Sequence, residues 1–180
     1  GCFMKRAAAG LTGRSLFLRT CSRSMSEPSL TIDNILAPEL TLCKVPASSK
    51  KRVLEFIAER IHFQDEILSD TQIFNNLVSR ERLGSTGIGE GIAIPHCRLE
   101  GLDRVIGVLM TLEEPVDFDA IDNQPVDLVF ALIVPKEATS EHLELLSQLA
   151  ERFNDSTFCA RLRQSEDPAT LYQRMAESNH

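Results

Sequence analysis

The chain has 180 residues, of which 43% are hydrophobic, and this length suffices for one globular domain with a sizeable core. Its formal net charge of −7 argues against nucleic-acid binding. The longest apolar run, LVFALIV at residues 128–134, is too short to span a membrane, so we expect no membrane insertion.

Residues 1–25 differ from the rest of the chain in charge. They contain five basic residues and no acidic one, whereas residues 26–180 carry 14 basic and 26 acidic residues, a net charge of −12. The Arg- and Ser-rich composition is compatible with a transit peptide, but the segment lacks the apolar core of a secretory signal. We favour a basic N-terminal extension at 1–25, with Met25 as the expected start, in front of one domain at 26–180.

Two helices are predicted in the first half of the domain. The segment KKRVLEFIAERIHF, which follows Ser49, has apolar residues at helical spacing. Ser69 has Gln72 three residues later, which predicts a capping box at the start of a second helix. Gly84 is a typical residue to end that helix.

Three strands follow in the predicted order of elements. A glycine-rich loop leads to a strand at 91–95, and two longer apolar segments at 105–112 and 126–134 predict two more. The segment at 126–134 is apolar almost throughout, which is typical of a central strand covered on both faces.

Helices are predicted again in the last part of the chain, at 140–153, around 157–163 and at 168–176. The first of these has its main apolar stripe at Leu143, Leu146, Ala150 and Phe153. Because helices precede, separate and follow the strands, we expect one α/β domain with a mixed β-sheet flanked by helices.

The segment GSTGIGEGIAIPH, residues 84–96, places a glycine-rich loop in front of a histidine. A neutral imidazole is a nucleophile near pH 7, and Pro95 is expected to fix His96 at the end of a strand. Arg80 supplies a guanidinium fork suited to phosphate. Backbone N–H groups and hydroxyls of the loop predict a phosphate-binding cradle, formed by Ser85, Thr86, Gly87, Gly89 and Gly91. A nucleophile, a cation and an anion cradle together indicate phosphoryl transfer.

His142 is the second candidate histidine. Leucines follow it at i+3, i+4 and i+7, so its side chain is expected to lean toward the buried side of its helix. The positive end of the helix dipole favours a neutral ring, which could bond His96 or a phosphoryl oxygen. A purely structural histidine is the more common case, and that alternative stays open.

Other types of site are less well supported. The loop lacks the Gly-Lys-Ser/Thr of a nucleotide-binding P-loop, and its third glycine has the wrong spacing for a dinucleotide fingerprint. His96 and Cys97 lack a second ligand pair for a metal, and Cys97 lacks an activator for a catalytic thiol. The aspartates at 117–122 do not continue into a calcium-binding loop. We therefore expect no metal, nucleotide or other cofactor. The odd number of cysteines, five, without CxxC spacing, indicates free thiols in a reducing cytoplasm.

Three segments, RERLGSTGIGEGIAIPH (80–96), FDAIDNQPVDLVFALIVP (118–135) and EHLELLSQLAERF (141–153), resemble a known family. They are similar to the type-2, fructose/mannitol-like enzyme IIA (EIIA) domain of the bacterial phosphoenolpyruvate:sugar phosphotransferase system, most of all to its nitrogen-regulatory branch. The resemblance covers roughly residues 28–177. It implies an α/β sandwich and a cytoplasmic phosphotransferase, a phosphoprotein in which His96 carries the phosphoryl group. The active-site arginine of the family matches Arg80, and its second active-site histidine matches His142. Cys97 stands where many relatives carry glycine.

The resemblance also implies partners. The donor would be an HPr-type phosphocarrier protein, and the nitrogen-regulatory members report phosphorylation state to targets such as potassium transporters or sensor kinases. Two alternatives remain: a sugar-specific IIA that passes phosphate to a IIB partner, and a regulatory binding module without catalysis. Segments 80–96 and 118–135 favour the nitrogen branch, and the presence of His96, Arg80 and His142 favours a phosphocarrier.

Overall fold

A computed structural model describes residues 30–177. Its first part contains three helices, a 3-10 turn at Pro38–Leu40 and one strand. Their bounds are α1 Ile32–Ile35, β1 Thr41–Val45, α2 Lys50–Gln64 and α3 Asp70–Leu83. The remaining elements are β2 Gly87–Gly89, β3 Ile92–Ala93, β4 His96–Leu99, β5 Ile106–Val116, β6 Val126–Pro135, α4 Ser140–Phe153, α5 Ser156–Arg163 and α6 Pro168–Glu177.

The strands form one mixed sheet in the order β1-β5-β6-β3-β2, with β4 also paired to β6. β5 and β6 are antiparallel, whereas β1 runs parallel to β5 and both β3 and β4 run parallel to β6. β3 and β4 lie one after the other along the same edge of β6: Ile92 is opposite Leu128 and His96 is opposite Leu132. β6 is therefore the central strand that carries the segment around His96.

Helices cover both faces of this sheet. Alternate residues of β6 point into two separate hydrophobic clusters, as the period of two in a strand requires. Val129, Ala131 and Ile133 pack with residues of α2 and α3, whereas the side chains between them pack with α1, α4, α5 and α6. The predicted mixed sheet flanked by helices, with a buried central strand, is confirmed.

The helix boundaries follow from capping residues. Ser69 Oγ accepts a hydrogen bond from the backbone N–H of Gln72 at 3.2 Å, which confirms the predicted start of α3. Gly84 ends that helix as predicted, and its N–H donates to the Glu81 carbonyl. The α4 helix begins one residue after Thr139, its N-cap.

The strand predicted at 91–95 is different in the structure. It is shorter, Ile92–Ala93, and a second strand begins at His96, so this histidine opens β4 and does not end a strand. Pro95 separates the two strands because it has no N–H to donate to a ladder, although its carbonyl still accepts from Leu132 N–H at 2.9 Å.

The apolar stripe predicted for α4 is wrong at two positions. Leu143 is 51% exposed and Ala150 is also exposed, whereas Leu145, Leu149 and Phe153 are buried against the sheet. The buried residues are spaced i, i+4, i+8. This spacing places side chains on one face of a helix, just as the predicted i, i+3, i+7 spacing does.

The predicted extension at 1–25, together with Cys2 and Cys21, lies outside the described residues. Within 30–177 the three cysteines, Cys43, Cys97 and Cys159, are free thiols, as predicted for this part of the chain. Residues 30–177 contain no helix with the length and apolar character to cross a bilayer.

Candidate functional site

A cleft of about 670 Å³ is bordered by α3, β4 and α4, and His96, Arg80 and His142 all line it. Arg80 and His96 are 16 residues apart in the sequence, and His142 lies 46 residues after His96. The cleft forms because β4 pairs with β6 between helices α3 and α4, which cover opposite faces of the sheet. The structure therefore brings the three predicted site residues to one place.

The imidazole of His96 is held at both nitrogens. Nδ1 lies 2.8 Å from the carbonyl oxygen of Ile94, and Nε2 lies 3.2 Å from Nε of Arg80. Because a carbonyl can only accept and the Arg80 N–H can only donate, Nδ1 carries the proton and Nε2 carries a lone pair. The ring is fixed as one tautomer with its nucleophilic nitrogen beside a cation.

The surroundings of His96 favour this neutral ring. Burial lowers the pKa of His96 below its ordinary value, and the charge of Arg80 lowers it further. The hydrogen bond to Ile94 and the carboxylate of Glu81 act in the opposite direction, but the net change in the pKa is downward. A lone pair on Nε2 is therefore available at neutral pH.

Arg80 lies in the last turn of α3, where a cation is favoured by the helix dipole. Its Nη1 donates to the carbonyl of Gly84 at 2.9 Å while Nε donates to His96. Two nitrogens of one planar group therefore have separate partners, which orients the guanidinium over the cleft.

His142 serves the structure of α4 as well as the cleft. Its Nδ1 accepts from the Thr139 N–H at 3.0 Å and lies 3.1 Å from Thr139 Oγ1, so it completes a capping box at the third helical position. Since Nδ1 accepts, the proton of the neutral ring is on Nε2. His142 is half-buried, and Nε2–H is the group that it offers as a donor on the wall of the cleft.

The residues predicted as a phosphate cradle do not line the cleft. Ser85 Oγ donates to the Phe118 carbonyl at 2.5 Å and accepts from Gly87 N–H at 3.0 Å. Thr86 is buried, and its hydroxyl donates to the Glu81 carboxylate at 2.7 Å. These hydroxyls hold the loop itself together, and phosphate binding by the loop remains a prediction without a supporting contact.

The glycines of the loop are required by its backbone. Gly89 and Gly91 have φ angles of +102° and +78°, which L side chains rarely adopt, and they form the turn between β2 and β3. A Cβ at Gly87 would lie 2.8 Å from the Cβ of Ala120. Close packing and a tight turn therefore account for all three of these glycines.

Neither a thiol nor a metal site emerges near His96. Burial raises the pKa of Cys97 to about 12, so its reactive thiolate is scarce at neutral pH. Across residues 30–177, no group of three His, Cys, Asp or Glu side chains is arranged to hold a metal ion.

Comparison with known families shows to which family the chain belongs. Residues 34–178 match the family described as "Phosphoenolpyruvate-dependent sugar phosphotransferase system, EIIA 2". The chain belongs to this type-2 IIA family. The nitrogen regulatory protein of Pseudomonas aeruginosa is 49% identical over 144 residues, which are 80% of this chain and 94% of that protein. The nitrogen regulatory protein of Escherichia coli K12 is 45% identical over 85% of this chain and 94% of its own length.

Solved structures agree with this assignment of the IIA domain. The crystal structure of nitrogen regulatory protein IIA-Ntr from Neisseria meningitidis has a TM-score of 0.74 at 37% identity and covers 80% of this chain and 98% of that one. The IIA mannitol structure from Escherichia coli, with a TM-score of 0.65, 22% identity and coverage of 78% and 99%, shares the fold. The predicted resemblance to the nitrogen-regulatory branch is confirmed.

The cleft of this IIA domain also has a rim that the sequence did not reveal. Arg98 and Lys136 are exposed beside it, and the Arg98 guanidinium donates to the Lys136 carbonyl at 2.9 Å. Leu83 and Leu143 are 84% and 51% exposed on the same rim. The alternation in β4 could have predicted Arg98 as an outward residue, but no pattern linked α3 and α4 across the sheet.

Proposed function

We propose that this IIA domain is a histidine phosphocarrier that accepts a phosphoryl group on Nε2 of His96 from an HPr-type protein in the cytoplasm. The hydrogen bond from His96 Nδ1–H to the Ile94 carbonyl is the observation that carries the proposal. It leaves the lone pair on Nε2, the nitrogen that lies beside Arg80 in the cleft. A histidine held in the opposite tautomer would have no nucleophilic nitrogen at that position.

The transfer is an in-line displacement. The Nε2 lone pair of His96 attacks the phosphorus of the donor phosphohistidine, the new N–P bond forms, and the old one breaks with its electron pair returning to the donor ring. The proton on Nδ1 of His96 stays in place, and the Ile94 carbonyl stabilises the positive charge that the ring gains. Arg80 exchanges its bond to Nε2 for bonds to the equatorial oxygens, and His142 adds a neutral N–H donor.

The output that we propose is regulation of nitrogen- and potassium-related targets, such as potassium transporters or sensor kinases. Relatives with 45–49% identity carry the name nitrogen regulatory protein, which supports this output. A phosphoryl group adds a charge of about −2. That charge would appear in the cleft that the exposed leucines and the cations also line, so a partner that docks there would distinguish the two states.

A reconstituted transfer tests the proposal. The wild type, His96→Ala and His62→Ala are each mixed with phosphoenolpyruvate, enzyme I and an HPr-type carrier, and intact mass is followed. His62 is the control because it lies on α2 and its ring bonds to the Leu68 carbonyl. We expect an acid-labile, phosphate-sized gain in the wild type and the His62 variant alone. Stable phosphate on His96→Ala would refute the site, and no gain in the wild type would favour the binding-module alternative.

A further inference from the structure

Glu81 is a buried acid, next to Arg80 in the sequence, that the transfer described above does not use. Its side chain is 6% exposed and lies in the last turn of α3, where the helix dipole disfavours an anion. A buried carboxylate is costly unless several donors satisfy it. Glu81 therefore needs several hydrogen-bond donors around its buried carboxylate.

Three donors converge on this carboxylate. Oε2 accepts from the Thr86 N–H at 2.9 Å and from Lys50 Nζ at 3.2 Å, and Oε1 accepts from the Thr86 hydroxyl at 2.7 Å. Lys50 extends from the start of α2 and also forms an ion pair with Asp119 at 3.2 Å. Both oxygens of Glu81 bind one residue, Thr86, which fixes that residue through its backbone and its side chain.

Thr86 is linked to the nucleophile through a single residue. Its carbonyl accepts from the Ile94 N–H at 2.9 Å, and the Ile94 carbonyl is the acceptor for His96 Nδ1 at 2.8 Å. Ile94 lies in the break between β3 and β4. The bond from the Ile94 N–H to the Thr86 carbonyl extends by one pair the antiparallel pairing of β2 with β3, in which Gly87 lies opposite Ala93.

We propose that Glu81 is a positioning residue for phosphoryl transfer: it fixes Thr86 and Ile94, and thereby keeps the proton of His96 on Nδ1 and the lone pair on Nε2. This inference rests on the proposed phosphorylation of His96. Arg80 and Glu81 then act from adjacent positions of one helix, the first on the reactive nitrogen and the second on the opposite side of the same ring.

The substitution Glu81→Gln tests this role with little change in shape. Gln has one acceptor oxygen where Glu81 has two, so the Thr86 hydroxyl would have to accept from the amide instead of donating, and the bonds from Lys50 and the Thr86 N–H would lose the negative charge that strengthens them. We expect kcat for transfer from the carrier to fall about tenfold, with KM for the carrier unchanged. Glu59→Gln, a change at an exposed glutamate of α2, is the control and should transfer at the wild-type rate.

The tautomer of His96 is the readout that a merely structural role would not change. Long-range ¹H–¹⁵N NMR of unphosphorylated protein should show the Nδ1–H form alone in the wild type and a mixture of both forms in Glu81→Gln. A folded Glu81→Gln variant with the wild-type tautomer would overturn the inference, even if its kcat were reduced.

Thr86 provides a second, milder test if heat denaturation shows that Glu81→Gln is not folded. Thr86→Val removes the hydroxyl donor, and Thr86→Ser keeps it. We expect a smaller fall in kcat with a mixed tautomer for the valine variant, and wild-type behaviour for the serine variant. Equal tautomer populations in the wild type and Thr86→Val would overturn the inference. Because the spectra need no phosphate, a wild type that takes up none would refute the proposed function without deciding whether Glu81 sets the tautomer.

Discussion

Replacing Arg80 by methionine removes the cation that lies beside the reactive nitrogen. The guanidinium contacts Nε2 of His96 at 3.2 Å and the Gly84 carbonyl at 2.9 Å, so its orientation is already set at the nitrogen that we propose to be phosphorylated. Loss of one such preorganised donor typically lowers kcat by about 10²–10³-fold, and we expect a fall of that size for Arg80→Met. Arg80→Lys keeps the charge but has one nitrogen for two partners, so we expect a fall of about tenfold.

The measurement is the initial rate of phosphate uptake from an HPr-type carrier, followed by quenched-flow and intact mass. Arg82→Met is the matched control, because Arg82 lies in the same last turn of α3 and carries the same charge but is not among the residues that line the His96 cleft. It should transfer at nearly the wild-type rate.

Two results would refute the reasoning about Arg80. If Arg80→Met were as fast as the wild type, the guanidinium would have no part in transfer. If Arg80→Met and Arg82→Met were slowed equally, long-range charge and not the oriented fork would be responsible.

Three further predictions concern pH, α4 and the core. Because burial and Arg80 lower the pKa of His96, the fall of the phosphorylation rate in acid should have its midpoint below the ordinary histidine pKa of 6.5; a pH–rate profile checks this, and Arg80→Met should move that midpoint to higher pH. His142→Gln keeps a side-chain acceptor for the Thr139 N–H but loses the ring N–H, so transfer should slow while the thermal midpoint stays within a few degrees of the wild type, as combined kinetics and heat denaturation would show. Phe130 is fully buried, so Phe130→Ala should lower the free energy of unfolding by about 3–5 kcal/mol in urea titrations.

Much of the fold could be predicted because its long elements have clear local signals. The cap at Ser69 and the apolar segments of β5 and β6 determine where those elements begin and which strand is central. β1 gave no such signal: it has five residues, a positive φ at Lys44 and an irregular register against β5. Its strand character comes from the neighbouring β5 and not from its own sequence.

The candidate site, like the fold, could be predicted only in part from the sequence. His96 and Arg80 could be predicted because their chemistry is unusual beside a glycine-rich loop. The hydroxyls of Ser85 and Thr86 have partners elsewhere, at Phe118 and Glu81, which depend on how the loop packs against the rest of the domain. No capping or turn pattern predicts the partners of these two hydroxyls, and the partner of Ser85 is 33 residues away in the sequence, so the packing of the loop determines which of its side chains reach the cleft.

The tandem arrangement of β3 and β4 on β6 has a consequence for protein synthesis. Parallel pairing joins residues distant in sequence, and such contacts form late because the intervening chain must first be ordered. A ribosome-bound fragment that ends before Val126 has no partner strand for His96, and one that ends before α4 has no His142. A cleft that contains Arg80, His96 and His142 is therefore complete only after the chain through α4 has been synthesised and has folded.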